Sequence, residues 1–461
     1  MQIKLHGAAK VVTGSCYSIT VGQEKILVDC GMFQGSKELE KLNYEPPSFD
    51  PSIYKFLLLT HAHLDHCGRI PKLVKYGFKG EIFATSATKD LARVVMMDSA
   101  RIAFHDTEWE NKRRLKKGLP VREPIYTEKD VKTAMKFFKT VSYNKPVKVT
   151  NNITATFHDA GHILGASSIT IEVFDKEKKT IVFSGDMGQV NTPIVHDPEV
   201  IRKADYLFLE STYGDRLHPP MSERKNKFLK IILETYKRGG KLLIPSFAIE
   251  RAQELIFNLN EFVENGLMPQ MPVFLDSPMA IESTEVFKKH PEFYDKRMRQ
   301  LLDAGDDPFN FPGFKYTKSV DESKSINNVQ GPCIIIAGSG MCTAGRIKHH
   351  IKNHIDDPKN AILFVGYQAY GTLGYWIKSG SKKIRLLGER VYVRAKVNSI
   401  DSFSAHADYN GLLNWIKFFK PKPKRIFLTH GELKSAQSLS KKIERLGIKT
   451  YIPDMKESIP L

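Results

Sequence analysis

Thr60-His61-Ala62-His63-Leu64-Asp65-His66 sets three imidazoles and one carboxylate within six residues, directly after the apolar run KFLLLT. Such a density of metal-ligand side chains is seldom structural. Imidazole nitrogen and carboxylate oxygen suit zinc, with manganese or iron also compatible, and a set without Cys points to open catalytic coordination rather than a closed cage. A helix beginning near Asp65 would let these residues divide between two neighbouring ions.

Working outward, KFLLLT is one of a series of short, β-branched apolar runs separated by turn residues. KILVD, EIFA, ITATFH, SSITIEVF, TIVFSGD and DYLFLEST lie on either side of it, and KLLIPS, PVFLD, CIIIAG, AILFVGY, KVNSID and RIFLTHGE come later. These read as strands. Helical stretches at 250–265 and 410–420 interleave with them, which argues for α/β layers. The polar residue closing a strand is repeatedly of metal-ligand type: Asp29, His61, Asp186, Glu210 and His430. Sites in α/β sheets assemble at the carboxyl ends of strands, and punctuation of loops by Asp and His explains five such positions poorly. From about Leu91 to Val149 the chain turns helical and charged, and reads as a solvated amphipathic pair of helices rather than a dedicated RNA-binding element.

The 461 residues suffice for two or three compact domains, and 41% hydrophobic residues supply a core for each. A formal charge of +18 favours a polyanionic partner, either nucleic acid or an acidic membrane surface. Five dispersed cysteines lack C-x-x-C spacing, so neither a disulfide framework nor a Cys-type zinc site is indicated, and a reducing cytoplasm fits. No signal-peptide pattern and no membrane-spanning apolar run is present, so a soluble, cytoplasmic protein is expected.

In these motifs the sequence resembles the metallo-β-lactamase superfamily, whose H-x-H-x-D-H signature is matched by His61, His63, Asp65 and His66. Asp29 in ILVDCG, His162 in AGHILGA and Asp186 in FSGDMG match further motifs in the family order. The resemblance implies an αββα sandwich holding two zinc ions. It assigns His61, His63 and His162 to one ion and Asp65 and His66 to the other, with Asp186 bridging and Asp29 orienting a ligand from behind. Two ions so placed can activate water and stabilise both attacking and leaving oxygens, which phosphodiester hydrolysis needs.

The chain beyond Asp186 resembles the β-CASP group, the family that includes the nuclease subunit of the cleavage and polyadenylation specificity factor. DYLFLESTYGDR gives way to a fresh α/β pattern, then to DSFSAHAD and IFLTHGE. Three further family motifs are matched by Glu210, His406 and His430. The resemblance implies that His430 completes the second ion's ligands and that His406, polarised by Glu210, acts as general acid, so that Asp65, Asp186, Glu210 and His406 form the catalytic group. His at position 430 matches the RNA-processing members, where relatives acting in DNA repair typically carry Val. The expected division is a first metallo-β-lactamase part at 1–212, an inserted α/β β-CASP cap at 213–394, and a return to the first domain at 395–461.

Within the insert, PSFAIERAQEL and AGSGMCTAGR each come after a strand and open a helix. Backbone N–H groups at Ser339 and Gly340, with Arg251 and Arg346, are candidate contacts for RNA phosphates, a structural salt bridge being an equal alternative for either arginine. Family members often have Gly where this chain has Glu250. His350 and His354, at helical i, i+4 spacing, read as a polar helix face rather than a metal site. The expectation is therefore a two-metal ribonuclease that hydrolyses single-stranded RNA to 5′-phosphate and 3′-hydroxyl ends, with no membrane partner and a homodimer left open. Endonucleolytic and 5′-to-3′ exonucleolytic action are not distinguished. A small-molecule metallo-hydrolase of the same superfamily and a non-cutting RNA-binding scaffold are the rivals.

Overall fold

The computed structural model describes residues 1–461, apart from the side chains at 221 and 222. Two compact units divide the chain: Met1–Leu217 together with His406–Leu461, and His218–Ala405, which is thus an insertion.

The first unit holds two seven-stranded sheets. One runs in spatial order Ser458–Pro460, Gln2–Leu5, Tyr17–Val21, Glu24–Val28, Phe56–Leu58, Glu81–Thr85, Phe138–Val141. The other runs Thr450–Tyr451, Arg425–Thr429, Tyr206–Glu210, Lys178–Phe183, Ser167–Phe174, Ile153–Asp159, Val147–Lys148. Alternation along each strand decides which face is buried: Ile153, Ala155 and Phe157 point inward while Thr154 and Thr156 stand between them at the half-buried positions. Ile19, Ile26 and Val28 of the first sheet join Phe157, Ile171, Phe183 and Phe208 of the second in one core. Each large apolar side chain so buried contributes about 1.5–3 kcal/mol.

Helices Tyr409–Ile416 and Leu433–Glu444 cover the second sheet's other face through Leu412, Trp415 and Leu439 packed on Leu207 and Leu209. Helices Ser86–Leu115 and Glu128–Ala134 lie on the side of the first sheet. The layers are helix, sheet, sheet, helix, as expected of the metallo-β-lactamase architecture. The charged segment after Leu91 contains more than helices, because Phe138–Val141 and Val147–Lys148 extend one edge of each sheet. An edge strand that buries only Phe138 leaves little apolar periodicity to read.

Three neighbouring parallel strands matter most. Tyr206–Glu210 pairs with Lys178–Phe183 on one side and with Arg425–Thr429 on the other, with Glu210 in register with Thr429. Their carboxyl ends therefore deliver Asp186, Glu210 and His430 to one place, although the third strand comes only after the whole insertion.

The inserted unit carries a six-stranded parallel sheet in the order Phe314–Tyr316, Val273–Leu275, Cys333–Ala337, Lys241–Pro245, Ala361–Phe364, Lys396–Ser399, and a separate antiparallel hairpin of Lys383–Leu386 and Glu389–Tyr392. Among the described residues no helix is long and apolar enough to cross a membrane.

Candidate metal centre

After Phe56–Leu58 the chain passes over the end of the first sheet and turns into a short helix, Leu64–Cys67, with His63 at its N-cap. That turn splits the local motif, so that His61 and His63 face one way and Asp65 and His66 another. Gly31 allows it. A Cβ on Gly31 would stand 1.5 Å from the Asp65 carbonyl oxygen, so only glycine lets this strand end pass the motif backbone.

Potential ligand atoms of His61, His63, His162 and Asp186 lie within 4.8 Å of one another, as do those of Asp65, His66 and His430. Asp186 stands between the two groups. Its Oδ2 is 3.3 Å from His61 Nε2, and its Oδ1 is 3.3 Å from His66 Nε2 and 3.5 Å from His430 Nδ1. His63 Nδ1 is 3.1 Å from His61 Nε2 and 3.2 Å from His162 Nε2.

Burial pulls His61 down to about 3 and His63 to about 4, and holds His162 well below the ordinary imidazole value. These rings are neutral at physiological pH, and their lone pairs converge on each other. Asp186 Oδ1 is buried without a hydrogen-bond donor. Burial disfavours its charge, yet His430, His66, His61 and His406 hold the carboxyl well below the usual carboxylate range. A donor-less buried carboxylate oxygen, set between imidazoles that converge on it from two groups, suits divalent cations among them, and the N/O donor set fits zinc.

Asp29 closes its strand in a left-handed conformation, φ +57°. Its Oδ1 accepts the Thr60 N–H at 2.8 Å, and its Oδ2 accepts both the Thr60 hydroxyl at 2.8 Å and His66 Nδ1–H at 2.8 Å. With Nδ1 so committed, His66 presents Nε2 to the site.

His406 is brought in by backbone pairing: it forms a β-bridge with Gly188, and the Ala407 N–H donates to Met187 O at 2.7 Å. Glu210 Oε1 accepts the Met187 N–H, while both Glu210 oxygens face His406 Nδ1 at 3.1–3.2 Å. His406 Nε2 lies 4.0 Å from Asp186 Oδ2. Burial works against a charge on this ring, but Glu210 and Asp186 outweigh it and raise it to about 9. At 19% exposure its side chain is more open than those of His61, His66 and His162, all at 3% or less.

Sequence reasoning missed several supporting groups. Thr60 fixes Asp29, and Thr212 Oγ1 stands 3.1 Å from His430 Nδ1. Tyr213 places its ring 6.0 Å from that of His406. Thr60 directly precedes His61 and Thr212–Tyr213 lie two and three residues after Glu210, which was the available signal.

The candidate phosphate contacts, all in the inserted unit, are engaged internally. Arg251 is 5% exposed, pairs with Glu254 and lies 5.5 Å from the Phe403 ring centroid. Arg346 donates to Asp276 Oδ1 at 2.6 Å and to Thr317 O at 3.0 Å. The salt-bridge alternative describes both arginines. The Ser339 N–H, expected to be free, donates to Ala344 O at 3.2 Å, because the glycine turn closes on itself. Gly340 packs against Phe247, which a Cβ there would meet at 2.7 Å. Glu250 takes φ +63°, the backbone that the family's glycine would adopt without strain. His350, read as part of a polar face, is instead buried, with Nε2 2.6 Å from Asp276 Oδ2.

Three family models match the chain: a metallo-beta-lactamase superfamily domain over 18–200, a Beta-Casp domain over 252–377, and a Zn-dependent metallo-hydrolase RNA specificity domain over 390–453. The chain is 36% identical to the ribonuclease TTHA0252 of Thermus thermophilus across the full length of both. It is 34% identical to the transcription termination factor FttA of Methanocaldococcus jannaschii over 98% of this chain and 70% of that one. An RNase J-like protein of the same archaeon is 32% identical over 100% and 99% of the two chains. A crystal structure of an Enterococcus faecalis protein of unknown function shares the fold, with TM-score 0.58 at 13% identity over 100% and 99% of the chains.

Proposed function

Since the chain belongs to the β-CASP family of metallo-β-lactamase-fold nucleases, we propose that it is a metal-dependent ribonuclease cutting single-stranded RNA to 5′-phosphate and 3′-hydroxyl ends. The observation that carries this is one carboxylate, Asp186, shared by two groups of ligand side chains, with a carboxylate-backed imidazole beside them.

His61, His63, His162 and Asp186 would hold one ion, and Asp65, His66, His430 and Asp186 a second, zinc being favoured and manganese or iron compatible. Two such cations supply activated water and offset the charge that builds on the phosphate. His406 keeps a proton on Nε2 while Nδ1–H donates to Glu210, so Nε2 can protonate the departing ribose oxygen. Glu210 fixes that ring twice, through its own oxygens and through the Met187 backbone. Asp29 keeps His66 in the tautomer that offers Nε2 to a cation.

The test offers purified protein linear 5′-monophosphate RNA, linear 5′-triphosphate RNA and circular RNA, with and without chelator. Cutting of the circle demonstrates internal scission, and dependence on a monophosphate end demonstrates 5′-to-3′ exonuclease action. Asp186→Ala abolishes cleavage and leaves the fold intact by circular dichroism. Undiminished cleavage by metal-stripped protein, or by Asp186→Ala, refutes the mechanism.

A further inference from the structure

We propose that the hairpin Lys383–Tyr392 and the aromatic cluster beside it form an accessory surface for single-stranded RNA, carried entirely by the inserted unit. It rests on the ribonuclease function above and adds where the strand is held. Residues 378–396 contain seven Lys and Arg. Lys378, Arg394 and Lys396 pair with Asp401, Asp356 and Glu234, while Lys382, Lys383, Arg385 and Arg390 form the cationic row. The stretch's one acidic residue, Glu389, pairs with Lys352 at 2.6 Å. In the hairpin register Lys383 stands opposite Tyr392 and Arg385 opposite Arg390, so all four share one face, and all four are exposed. The other face sends Ile384 and Leu386 into the core of the insert. Burial of those two residues meets the needs of folding. Two arginines placed directly across a ladder repel each other and destabilise the pair, so stability does not account for them, whereas a phosphate chain does.

The aromatic cluster points to nucleic acid rather than to an acidic protein. Tyr370 is 77% exposed and Trp376 42%, yet both are ordered against each other and Tyr375, with ring centroids 5.1–5.7 Å apart. Trp376 adjoins the hairpin, since its carbonyl accepts the Ser381 N–H at 3.1 Å. On the hairpin itself Lys383 Nζ lies 4.6 Å from the Tyr392 ring centroid. Exposed flat rings beside a row of cations match a polymer that offers both phosphates and stackable bases.

Chelator-treated protein is titrated into a labelled single-stranded oligoribonucleotide of about 16 nucleotides, read by fluorescence anisotropy across a salt series. Arg385→Gln with Arg390→Gln weakens binding and makes the log–log salt slope shallower by about 1.4. Tyr370→Ala with Trp376→Ala weakens binding about 30-fold or more at unchanged slope. Both double variants hydrolyse bis(p-nitrophenyl) phosphate, a diester with no RNA strand to be held, at the wild-type rate, which shows the metal centre intact. RNA binding and cutting by both variants at wild-type levels overturns the surface and leaves the ribonuclease function standing. Wild-type protein that hydrolyses the small diester but neither binds nor cuts RNA overturns both. Capture of a polyglutamate peptide that depends on the arginines, with RNA binding indifferent to the rings, assigns the surface to an acidic protein and overturns the proposal.

Discussion

Replacing Asp29 by Asn changes one atom in the support of the metal centre, and the structure shows what that atom does. The Asn carbonyl oxygen can keep the Thr60 N–H contact now made by Oδ1 at 2.8 Å. The amide NH2 then takes the place of Oδ2 and points a donor at the Thr60 hydroxyl and at His66 Nδ1–H, both 2.8 Å away. Two donors cannot face each other, so His66 must move its proton to Nε2 or turn aside. Either response removes one ligand from the Asp65, His66, His430 group. Loss of such a supporting contact lowers metal affinity about 10–100-fold, or roughly 1.4–2.7 kcal/mol. Asn adopts the left-handed backbone of this position as readily as Asp, so no strain confounds the result. Chelator competition with elemental analysis measures the affinity of each ion. Asp29→Asn protein that retains two ions with wild-type affinity would show that Asp29 does not set the His66 tautomer, and the argument fails.

Neighbouring geometry sets three more outcomes. His406→Ala lowers kcat about 10²–10⁴-fold with KM and metal content kept; metal loss instead would mark His406 as a ligand. Gly31→Ala forces apart the backbones that carry Cys30 and Asp65, destabilising the protein by about 3 kcal/mol in urea melts and lowering metal occupancy. Burial, with Lys4 and Arg69 nearby, lowers His6 to about 3. The unfolded chain accepts that proton near 6.5, so this stability is complete above pH 6.5 and drains away as pH falls toward 3. Urea melts of metal-free protein should show that loss, and His6→Gln should make it shallower.

The local density of His61 to His66 and the metal-ligand residues at strand ends were readable because both are short-range patterns tied to how sheets present their ends. Glu210 and His430 stand together only through pairing of Tyr206–Glu210 with Arg425–Thr429, and no spacing in the sequence encodes that pairing across an insertion. Motif order supplied it instead. Arg251 was harder, although its helix carries a clue. Arg251 lies one and two turns before Leu255 and Leu259 on the same face, and the helix is buried all round from 251 to 260, where the arginine pairs with Glu254. The glycine turn at Gly338–Gly340 looked open because local sequence does not reveal that Ser339 Oγ accepts the N–H groups of Thr343 and Ala344 at 3.0 and 3.1 Å.

The late arrival of the strand Arg425–Thr429 has a consequence for synthesis. While the ribosome is still making the insertion, Tyr206–Glu210 has no neighbour on that side, and both His406 and His430 are yet to appear. A nascent chain that has not yet passed the insertion therefore lacks both of these imidazoles, whatever part of the first unit has already folded.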